Sequence, residues 1–256
     1  MSDTSRSLAT IILAAGQGKR MQDPTKPKVL YELAGIPLIG HVLNLGKQIR
    51  TDRTIVIIGF GRDQVRGYVL SQDPTAEFAI QAEQLGTGHA MQQTASLLED
   101  FDGDILVLYG DVPLLSDSTV RSLLEVHKRT RSKGTVLSAH FDNPKGYGRI
   151  VRTPDGAHLS SIVEERDATD EIRKIQEINS GIYVFDAKVL YSALAQLEPN
   201  NDQKEYYLTD VFSHIIAEFG ADSISISQTS NPIEVSGINT KDQLEELEQV
   251  YIRKMK

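Results

Sequence analysis

The chain has 256 residues, with 35 acidic and 27 basic side chains and a net charge of −8. This acidic balance argues against a general nucleic-acid-binding protein, and the lack of cysteine excludes a disulfide scaffold, a thiolate zinc site and a cysteine nucleophile. Because residues 1–7 are polar and no apolar run approaches the ~20 residues that span a membrane, we expect a cytoplasmic protein with neither a membrane nor a nucleic-acid partner.

The first 140 residues alternate short apolar runs with segments of helical period. The apolar runs predict strands at residues 8–15, 54–58, 104–109 and 135–139. Helical spacing predicts helices at residues 37–50, 61–71 and 87–99, and a further helix that contains residues 120–127. Strands that alternate with helices are typical of βαβ units, so we expect an α/β fold with a mainly parallel sheet flanked by helices.

The pattern changes after about residue 141. Further strands are predicted at residues 148–152, 159–163, 177–185 and 222–227, and helices at 187–197 and 207–219. Thr240 and Gln243 form a capping-box pattern that predicts the start of a last helix, over residues 240–254. We interpret the second half as a smaller α+β region inserted on, or packed against, the α/β core.

A glycine-containing loop follows the first predicted strand. Ligands of open α/β sheets bind where strands end, and consecutive N–H groups next to glycines such as Gly16 and Gly18 can surround an anion. Four positive charges fall within ten residues of this loop: Lys19, Arg20, Lys26 and Lys28. The loop fits neither the dinucleotide fingerprint nor the Walker A pattern. A polyphosphate site and a tight surface turn with solvated lysines both remain open on these observations.

Seven segments, in this order along the chain, carry a family resemblance: LAAGQGKRM, PKVL, QAEQLGTGHAM, YGDVPLL, GYGRI, EINSGIY and EYYLTD. Together with a closing VSGIN they resemble sugar-nucleotide pyrophosphorylases. The whole set looks like the N-terminal uridyltransferase domain of the bacterial bifunctional N-acetylglucosamine-1-phosphate uridyltransferase/glucosamine-1-phosphate acetyltransferases. Lys19 and Ser236 stand where the family usually has Thr and Glu. Hexapeptide repeats of the family's left-handed β-helix acetyltransferase domain are absent, and we expect no such domain in this chain.

The resemblance implies a Rossmann-like nucleotidyltransferase fold and a domain arrangement. A polar tail over residues 1–7 would precede a single domain over 8–256, in which 8–140 bind the nucleotide, 141–240 mainly bind the sugar and 240–254 form the last helix. Whether the chain is a natural single-domain protein or a fragment stays open, and no oligomer is assumed.

The implied reaction is Mg²⁺-dependent transfer of a uridylyl group from UTP to N-acetylglucosamine 1-phosphate, giving UDP-N-acetylglucosamine and pyrophosphate. A phosphate monoester is mostly dianionic at pH 7, so the attacking oxygen needs no general base. Catalysis would rest on positioning and on neutralising phosphate charge. Two alternatives are the same chemistry on another hexose 1-phosphate, such as glucose 1-phosphate, and a non-catalytic regulatory protein that binds nucleotide sugars.

The resemblance also assigns roles to residues. Arg20 and Lys28 would be catalytic, and Asp111 and Asn239 would bind the metal. Gly148, Glu164 and Asn179 would contact the sugar. The nucleotide contacts would be Leu13, Ala14, Gly16, Gly18, Gln81, Gly86, Thr87, Tyr109 and Gly110.

Without the family, the same residues have simpler interpretations. Asp111 is then a turn aspartate, Asn239 a helix-start asparagine, and Arg20 half of a surface salt bridge of small energetic value. We expect Glu165, the neighbour of Glu164, to be a solvated surface acid. His41 is expected to lie in the core, and His89 to pack at the start of a helix, rather than to bind ligands.

Overall fold

The computed structural model describes residues 6–21 and 23–254. These residues form one mixed, nine-stranded sheet, a two-stranded hairpin and eight α-helices. The strands are β1 (Ser7–Ala14), β2 (Glu32–Leu33), β3 (Ile36–Pro37), β4 (Arg53–Ile58), β5 (Glu77–Ile80), β6 (Gly103–Tyr109), β7 (Gly134–His140), β8 (Gly148–Arg152), β9 (Leu159–Val163), β10 (Glu177–Asp186) and β11 (Ile224–Gln228). The helices are α1 (Leu38–Ile49), α2 (Arg62–Gln72), α3 (Thr87–Gln92), α4 (Asp117–Thr130), α5 (Asp170–Arg173), α6 (Ala187–Leu194), α7 (Asp210–Phe219) and α8 (Lys241–Lys254).

The main sheet has the strand order β11-β7-β10-β6-β1-β4-β5. Strands β6, β1, β4 and β5 run parallel to one another, and β11 runs parallel to β7. Strand β10 is antiparallel to both β6 and β7. The predicted α/β fold with a mainly parallel, mixed sheet is confirmed.

Strand β10 changes its partner where β6 ends. Its second half pairs with β6, whereas Asn179 near its start pairs with Gly148 of β8. The register against β7 shifts between Asn179 and Tyr183, and Gly181 in this bulge has a φ of +82°, a conformation that glycine adopts without strain. The start of β10, beyond the carboxyl end of β6, is therefore paired with β7 and β8 instead.

Alternating apolar residues bury both faces of the sheet, as expected for strands covered on two sides. On one face, Ile11 and Ile57 pack in a cluster with residues of α3, α6 and α7. On the other face, Ile12 and Val56 pack with residues of α1, α2 and α4. The molecule thus has three layers, and the loops at the ends of the strands are left to form sites.

Some predicted boundaries differ from the structure. The helix predicted over 87–99 ends at Gln92, because the Thr94 hydroxyl donates a hydrogen bond to the Met91 carbonyl (2.7 Å) and a 3-10 turn follows at Ala95–Leu97. Residues Ala221–Ser223 also form a 3-10 turn, so the strand predicted at 222–227 begins at Ile224. Helix α7 begins at Asp210 rather than at residue 207.

Several short elements had no counterpart in the sequence prediction. They include the β2–β3 hairpin, the four-residue elements β5 and α5, and the 3-10 turns at Lys19–Met21, Lys28–Leu30 and Pro232–Val235. Strand β5 has only four residues, at the edge of the sheet, and too few positions for a clear alternation.

The capping box at the start of α8 is confirmed. Gln243 Oε1 accepts hydrogen bonds from the backbone N–H groups of Asn239 (2.8 Å) and Thr240 (3.2 Å), and its own N–H donates to Thr240 Oγ1 (3.2 Å). Asn239 is thereby held at the N-terminus of α8. Within the described ranges, no helix is both long enough and apolar enough to cross a membrane.

Candidate active site

A cleft of about 360 Å³ opens where β1, β5 and β6 end. Ten of the residues that the family resemblance singled out line it: Leu13, Ala14, Gly16, Lys28, Gln81, Gly86, Thr87, Tyr109, Asp111 and Asn239. The sequence prediction missed five others that line it: Ala15, Val29, Gln84, Ala90 and Glu205. This position agrees with the rule that ligands of open α/β sheets bind beyond the carboxyl ends of strands.

Three distant segments meet at Lys28, which begins a 3-10 turn. Its ammonium Nζ forms an ion pair with Asp111, in the loop after β6, and donates a hydrogen bond to Asn239 Oδ1 (3.0 Å), just before α8. The side chains of Lys28 and Asp111 are largely buried. We call Lys28, Asp111 and Asn239 the cation cluster, because two oxygen ligands here share one positive charge.

The donor set of the cation cluster fits a divalent metal. A carboxylate and an amide oxygen converge on a cation, and Mg²⁺ is commonly held by one or two protein oxygens while phosphates and waters complete its octahedron. No cluster of three or more His, Asp or Glu side chains that could hold a metal occurs among residues 6–21 and 23–254.

The glycine loop approaches the cation cluster closely. Gly18 has a φ of +67°, and a Cβ at this position would lie 2.5 Å from Lys28 Cβ. Glycine is therefore required both by the backbone conformation and by the space available. Gly110 is fixed next to the cleft by its N–H, which donates to the Leu13 carbonyl (3.0 Å).

The structure does not bring Arg20 into the cleft. Arg20 lies on the exposed 3-10 turn Lys19–Met21 and is not among the residues that line the cleft. Its predicted catalytic role stays a prediction.

A second loop, between β5 and α3, forms the opposite wall. Gln81 is buried, and its side-chain Nε2 donates to the Gly86 carbonyl (2.9 Å). Gly86 has a φ of +108°, and a Cβ there would lie 2.5 Å from the Tyr206 carbonyl oxygen. Backbone hydrogen bonds link Tyr206 to Leu85 and Gly88 (2.8 and 2.7 Å). Part of the EYYLTD segment thus braces this loop.

Gly148, Glu164 and Asn179 are not among the residues that line the cleft, but they lie together where β8 pairs with β10, and we call them the polar cluster. A Cβ on Gly148 would lie 3.3 Å from Glu164 Oε2 and 3.5 Å from Asn179 Cβ. Asn179 Nδ2 donates to the Tyr183 hydroxyl (2.8 Å). The absence of a side chain at residue 148 leaves room next to a carboxylate and an amide.

Burial raises the pKa of Glu164, and the nearby charges of Asp210 and Asp167 add to this effect. A hydrogen bond from Thr209 Oγ1 to Glu164 Oε1 (3.2 Å) acts in the opposite direction. The groups that shift this pKa include no cation.

Tyr109 lies between the cation cluster and the polar cluster. Burial raises its pKa, and the charges of both Glu164 and Asp111 contribute in the same direction. A Cβ on Gly181 would lie 2.8 Å from the Tyr109 ring, so the bulge of β10 makes room for this side chain. Tyr109 lines the cleft and is close enough to both clusters to feel the charge of each.

Two expectations about single residues need correction. Glu165 is not a solvated acid, because it forms an ion pair (2.8 Å) with Arg149, whose side chain is 2% exposed. A buried guanidinium needs such a partner. His41 is only half-buried: its Nε2 lies 3.0 Å from the Leu33 carbonyl, and its ring packs edge-on against Tyr251. His89 does pack near the start of α3, beside Gln81 and Tyr206.

Residues 10–207 match the MobA-like NTP transferase domain family. The chain belongs to this family. It is 42% identical to the bifunctional protein GlmU of Alkaliphilus metalliredigens, over 97% of this chain and 53% of that protein. It is 43% identical to GlmU of Geobacillus thermodenitrificans, over 94% of this chain and 51% of that protein. The chain spans about half the length of the curated relatives it matches.

Solved structures show the same fold. A UDP-glucose pyrophosphorylase complexed with UDP-glucose superposes with a TM-score of 0.78 at 15% identity, over 97% of this chain and 99% of that one. A Bacillus anthracis glucose-1-phosphate thymidylyltransferase in complex with sucrose gives a TM-score of 0.72 at 22% identity, over 95% of each chain. The predicted family resemblance and the nucleotidyltransferase fold are therefore confirmed.

Proposed function

We propose that this nucleotidyltransferase transfers a uridylyl group from UTP to N-acetylglucosamine 1-phosphate, giving UDP-N-acetylglucosamine and pyrophosphate. The observation that carries the proposal is the pair of clusters joined by Tyr109: oxygen ligands and an ammonium group on one side, and a carboxyl and an amide on the other. The GlmU relatives, and the fold shared with a protein that binds UDP-glucose, support it.

In this reaction a phosphate oxygen of the sugar phosphate forms a bond to the α-phosphorus of UTP, and the bond to the pyrophosphate group breaks. The sugar phosphate is already mostly dianionic at pH 7, so no side chain has to remove a proton. The two anionic reactants repel each other. The protein must therefore supply positive charge and hold the reactants in line.

We propose Mg²⁺ as the cofactor, with Asp111 and Asn239 as its protein ligands. When bound, the metal ion would neutralise phosphate charge. Lys28 supplies a second cation at the same place, and its flexible stem allows the ammonium group to turn from Asp111 to a phosphate oxygen. Arg20, on the neighbouring exposed turn, would add a third charge.

The loop that carries Gln81 and the polar cluster would recognise the rest of the substrates. Gln81 offers an amide next to Gly86 and Thr87, and an amide can both donate to and accept from a pyrimidine edge. Glu164 and Asn179 would hydrogen-bond the hydroxyl and N-acetyl groups of the sugar. In this proposal residues 8–140 mainly bind the nucleotide and residues 141–240 mainly bind the sugar. The cytoplasmic location stays a prediction.

A substrate panel tests the proposal. The purified chain is incubated with UTP, Mg²⁺ and either N-acetylglucosamine 1-phosphate or glucose 1-phosphate, and pyrophosphate release is measured. We expect the highest kcat/KM with N-acetylglucosamine 1-phosphate. A preference for glucose 1-phosphate would reassign the sugar. Binding of UDP-N-acetylglucosamine without release from any pair would contradict the proposed enzyme and indicate a regulatory protein.

A further inference from the structure

A buried carboxylate outside the cleft accepts an unusual number of hydrogen bonds. Glu234, in the 3-10 turn Pro232–Val235, is 7% exposed. Its Oε2 accepts from the hydroxyl groups of Ser116 (2.8 Å) and Thr119 (2.7 Å), and its Oε1 accepts from Asn231 Nδ2 (2.8 Å). Burial alone would raise the pKa of Glu234, but these hydrogen bonds hold it below its ordinary value. The carboxylate is therefore kept charged in the interior.

These hydrogen bonds join two loops that are distant in the sequence. Ser116 caps the N-terminus of α4 by accepting a hydrogen bond from the Thr119 N–H (3.2 Å), and it ends the loop that begins at Asp111. Glu234 lies 118 residues further along and begins the segment that leads to Asn239. One residue, Glu234, thus connects the segments that carry the two oxygen ligands of the cation cluster.

The same two loops are joined at their other ends. The Ile238 N–H donates to the Asp111 carbonyl (2.9 Å), and Ile238 and Leu114 pack in one buried apolar cluster. The Glu234 hydrogen bonds and the Ile238–Asp111 hydrogen bond therefore fasten the loops at both ends. Without the Glu234 hydrogen bonds, the distance between the Asp111 carboxylate and the Asn239 amide would be less restricted.

We propose that Glu234 is a positioning residue, which sets the separation of Asp111 and Asn239 and through it the affinity of the cation cluster for a divalent metal. The inference rests on the proposed function only for the identity of the metal and the reaction. Glu234 is not among the residues that line the cleft, so it acts through Ser116 and through its own loop.

The chemistry of the side chain predicts a graded series of variants. Glu234→Gln keeps one carbonyl oxygen for the Ser116 and Thr119 hydroxyl groups but removes the charge, so part of the fastening is retained. Glu234→Ala removes every acceptor that the half-buried donors of Ser116, Thr119 and Asn231 share. Ser132→Ala is the matched control: Ser132 is buried just beyond the opposite end of α4, where its hydroxyl pairs with Thr130 and Ser225 at 2.7 Å each.

The first measurement is amide hydrogen exchange in the metal-free protein. This measurement does not depend on enzymatic activity. We expect exchange at residues 236–239 to accelerate about tenfold in Glu234→Ala and less in Glu234→Gln, and to be unchanged in Ser132→Ala. Unchanged exchange at these residues in both Glu234 variants would overturn the proposal.

The second measurement is the Mg²⁺ concentration that gives half-maximal pyrophosphate release. Groups that orient metal ligands commonly change metal affinity by at least about tenfold, so we expect an increase of about tenfold in Glu234→Ala and a smaller one in Glu234→Gln. The KM for the sugar phosphate should stay within about twofold of the original. An equal rise in both constants, or an equal effect of Ser132→Ala, would overturn the proposal.

Two outcomes separate this inference from the proposed function. If the unmodified chain releases no pyrophosphate, the proposed function fails, while the exchange experiment still decides whether Glu234 fastens the two loops. If Glu234→Ala does not fold, Glu234→Gln must show the same two changes at smaller size; a folded Glu234→Gln protein without them contradicts the proposal.

Discussion

The cation cluster and the polar cluster each contain a largely buried carboxylate, yet their surroundings differ. Asp111 is paired with the Lys28 ammonium group, whereas Glu164 receives a hydroxyl hydrogen bond from Thr209 and has a raised pKa caused first by burial. A site for phosphates needs positive charge close to its oxygen ligands. A site for neutral hydroxyl groups needs acceptors in a dry environment. The difference between the clusters therefore suits a substrate that is charged at one end and neutral at the other.

Removal of the carboxylate from the cation cluster should have the largest effect. Asp111→Asn keeps the size of the side chain but removes the charge that holds Lys28 and would hold the metal. We expect a loss of about a thousandfold in kcat, at the upper end of what a single electrostatic group supplies. Asp117→Asn, which breaks an exposed ion pair with Arg121, is the control and should leave the rate of pyrophosphate release unchanged. A loss of less than about tenfold in Asp111→Asn would break the comparison.

Removal of the cation should have the next largest effect. Lys28→Met keeps the apolar stem but removes the ammonium group, and we expect kcat to fall about a hundredfold. Lys26→Met serves as the control, since the Lys26 ammonium group lies over the Tyr31 ring at 4.9 Å rather than in the cleft. Steady-state rates of pyrophosphate release should be reduced in Lys28→Met and unchanged in Lys26→Met. Similar losses in both variants would show that only the general positive charge of the loop matters.

A change in the polar cluster should affect KM rather than kcat. Removal of its charge should weaken binding of the sugar phosphate and should stabilise the folded protein. Glu164→Gln removes the proposed charged acceptor of the sugar hydroxyl groups, so we expect the KM for the sugar phosphate to rise about tenfold. The pKa of Glu164 is raised from its ordinary value of 4.5. Between this value and the raised pKa, the folded protein therefore binds more protons than the unfolded chain. The free energy of unfolding falls as the pH rises through this range.

Thermal unfolding tests whether Glu164 lowers the free energy of unfolding as the pH rises. The Glu164→Gln protein should melt at a higher temperature than the original at neutral pH and should lose less stability between about pH 4.5 and pH 7. Glu177→Gln is the opposite control. Burial alone would raise the pKa of Glu177, but Arg152 and Ser138 lower it, so its replacement should reduce stability at neutral pH. Equal melting curves for the original and Glu164→Gln would contradict the raised pKa.

The smallest effect concerns the glycine loop. Gly18→Ala forces a Cβ against Lys28 at a positive φ, and we expect it to cost about 1–2 kcal/mol of stability and a few-fold in kcat. Gly67→Ala, within α2 and with no atom near the added Cβ, should instead add about 0.5–1 kcal/mol. Urea unfolding measures both. Loss of stability in Gly18→Ala with full activity would show that the Lys28 position is less constrained than the cation cluster implies.

The sequence predicted the two regions unequally. Asp111 follows a clear apolar strand, so its place at the ligand-binding edge follows from the α/β pattern alone. Its ion pair with Lys28, 83 residues away, depends on how the loops pack, and no local pattern contains that information. The polar cluster depends on the pairing of β8 with β10 and on the bulge at Gly181. Alternation within a strand does not determine its partner, and only the family resemblance placed these residues together.

The sequence analysis misjudged Glu165 and missed Glu234 for the same reason: their partners are distant in the sequence. Glu165 looked solvated because it is charged and follows a short strand, but its partner Arg149 lies in the paired strand β8. Glu234 gave no signal, since its hydrogen bonds go to Ser116 and Thr119 at the start of a helix more than a hundred residues earlier. Buried polar side chains are recognised by their partners, and the partners are known once the chain is folded.

The reversed direction of β10 has a consequence for the insertion and deletion of residues. A strand parallel to β6 has its last residues at the edge of the sheet where β6 ends. Because β10 is antiparallel, its first residues lie at that edge. Asn179 therefore precedes the bulge, whereas Val184 and Phe185 follow it and pair with β6. Loss of one residue from the bulge would turn Asn179 to the other face and leave the pairs further along in register. Such a deletion would remove the proposed sugar contact of Asn179 while the pairs between β10 and β6 stay in register.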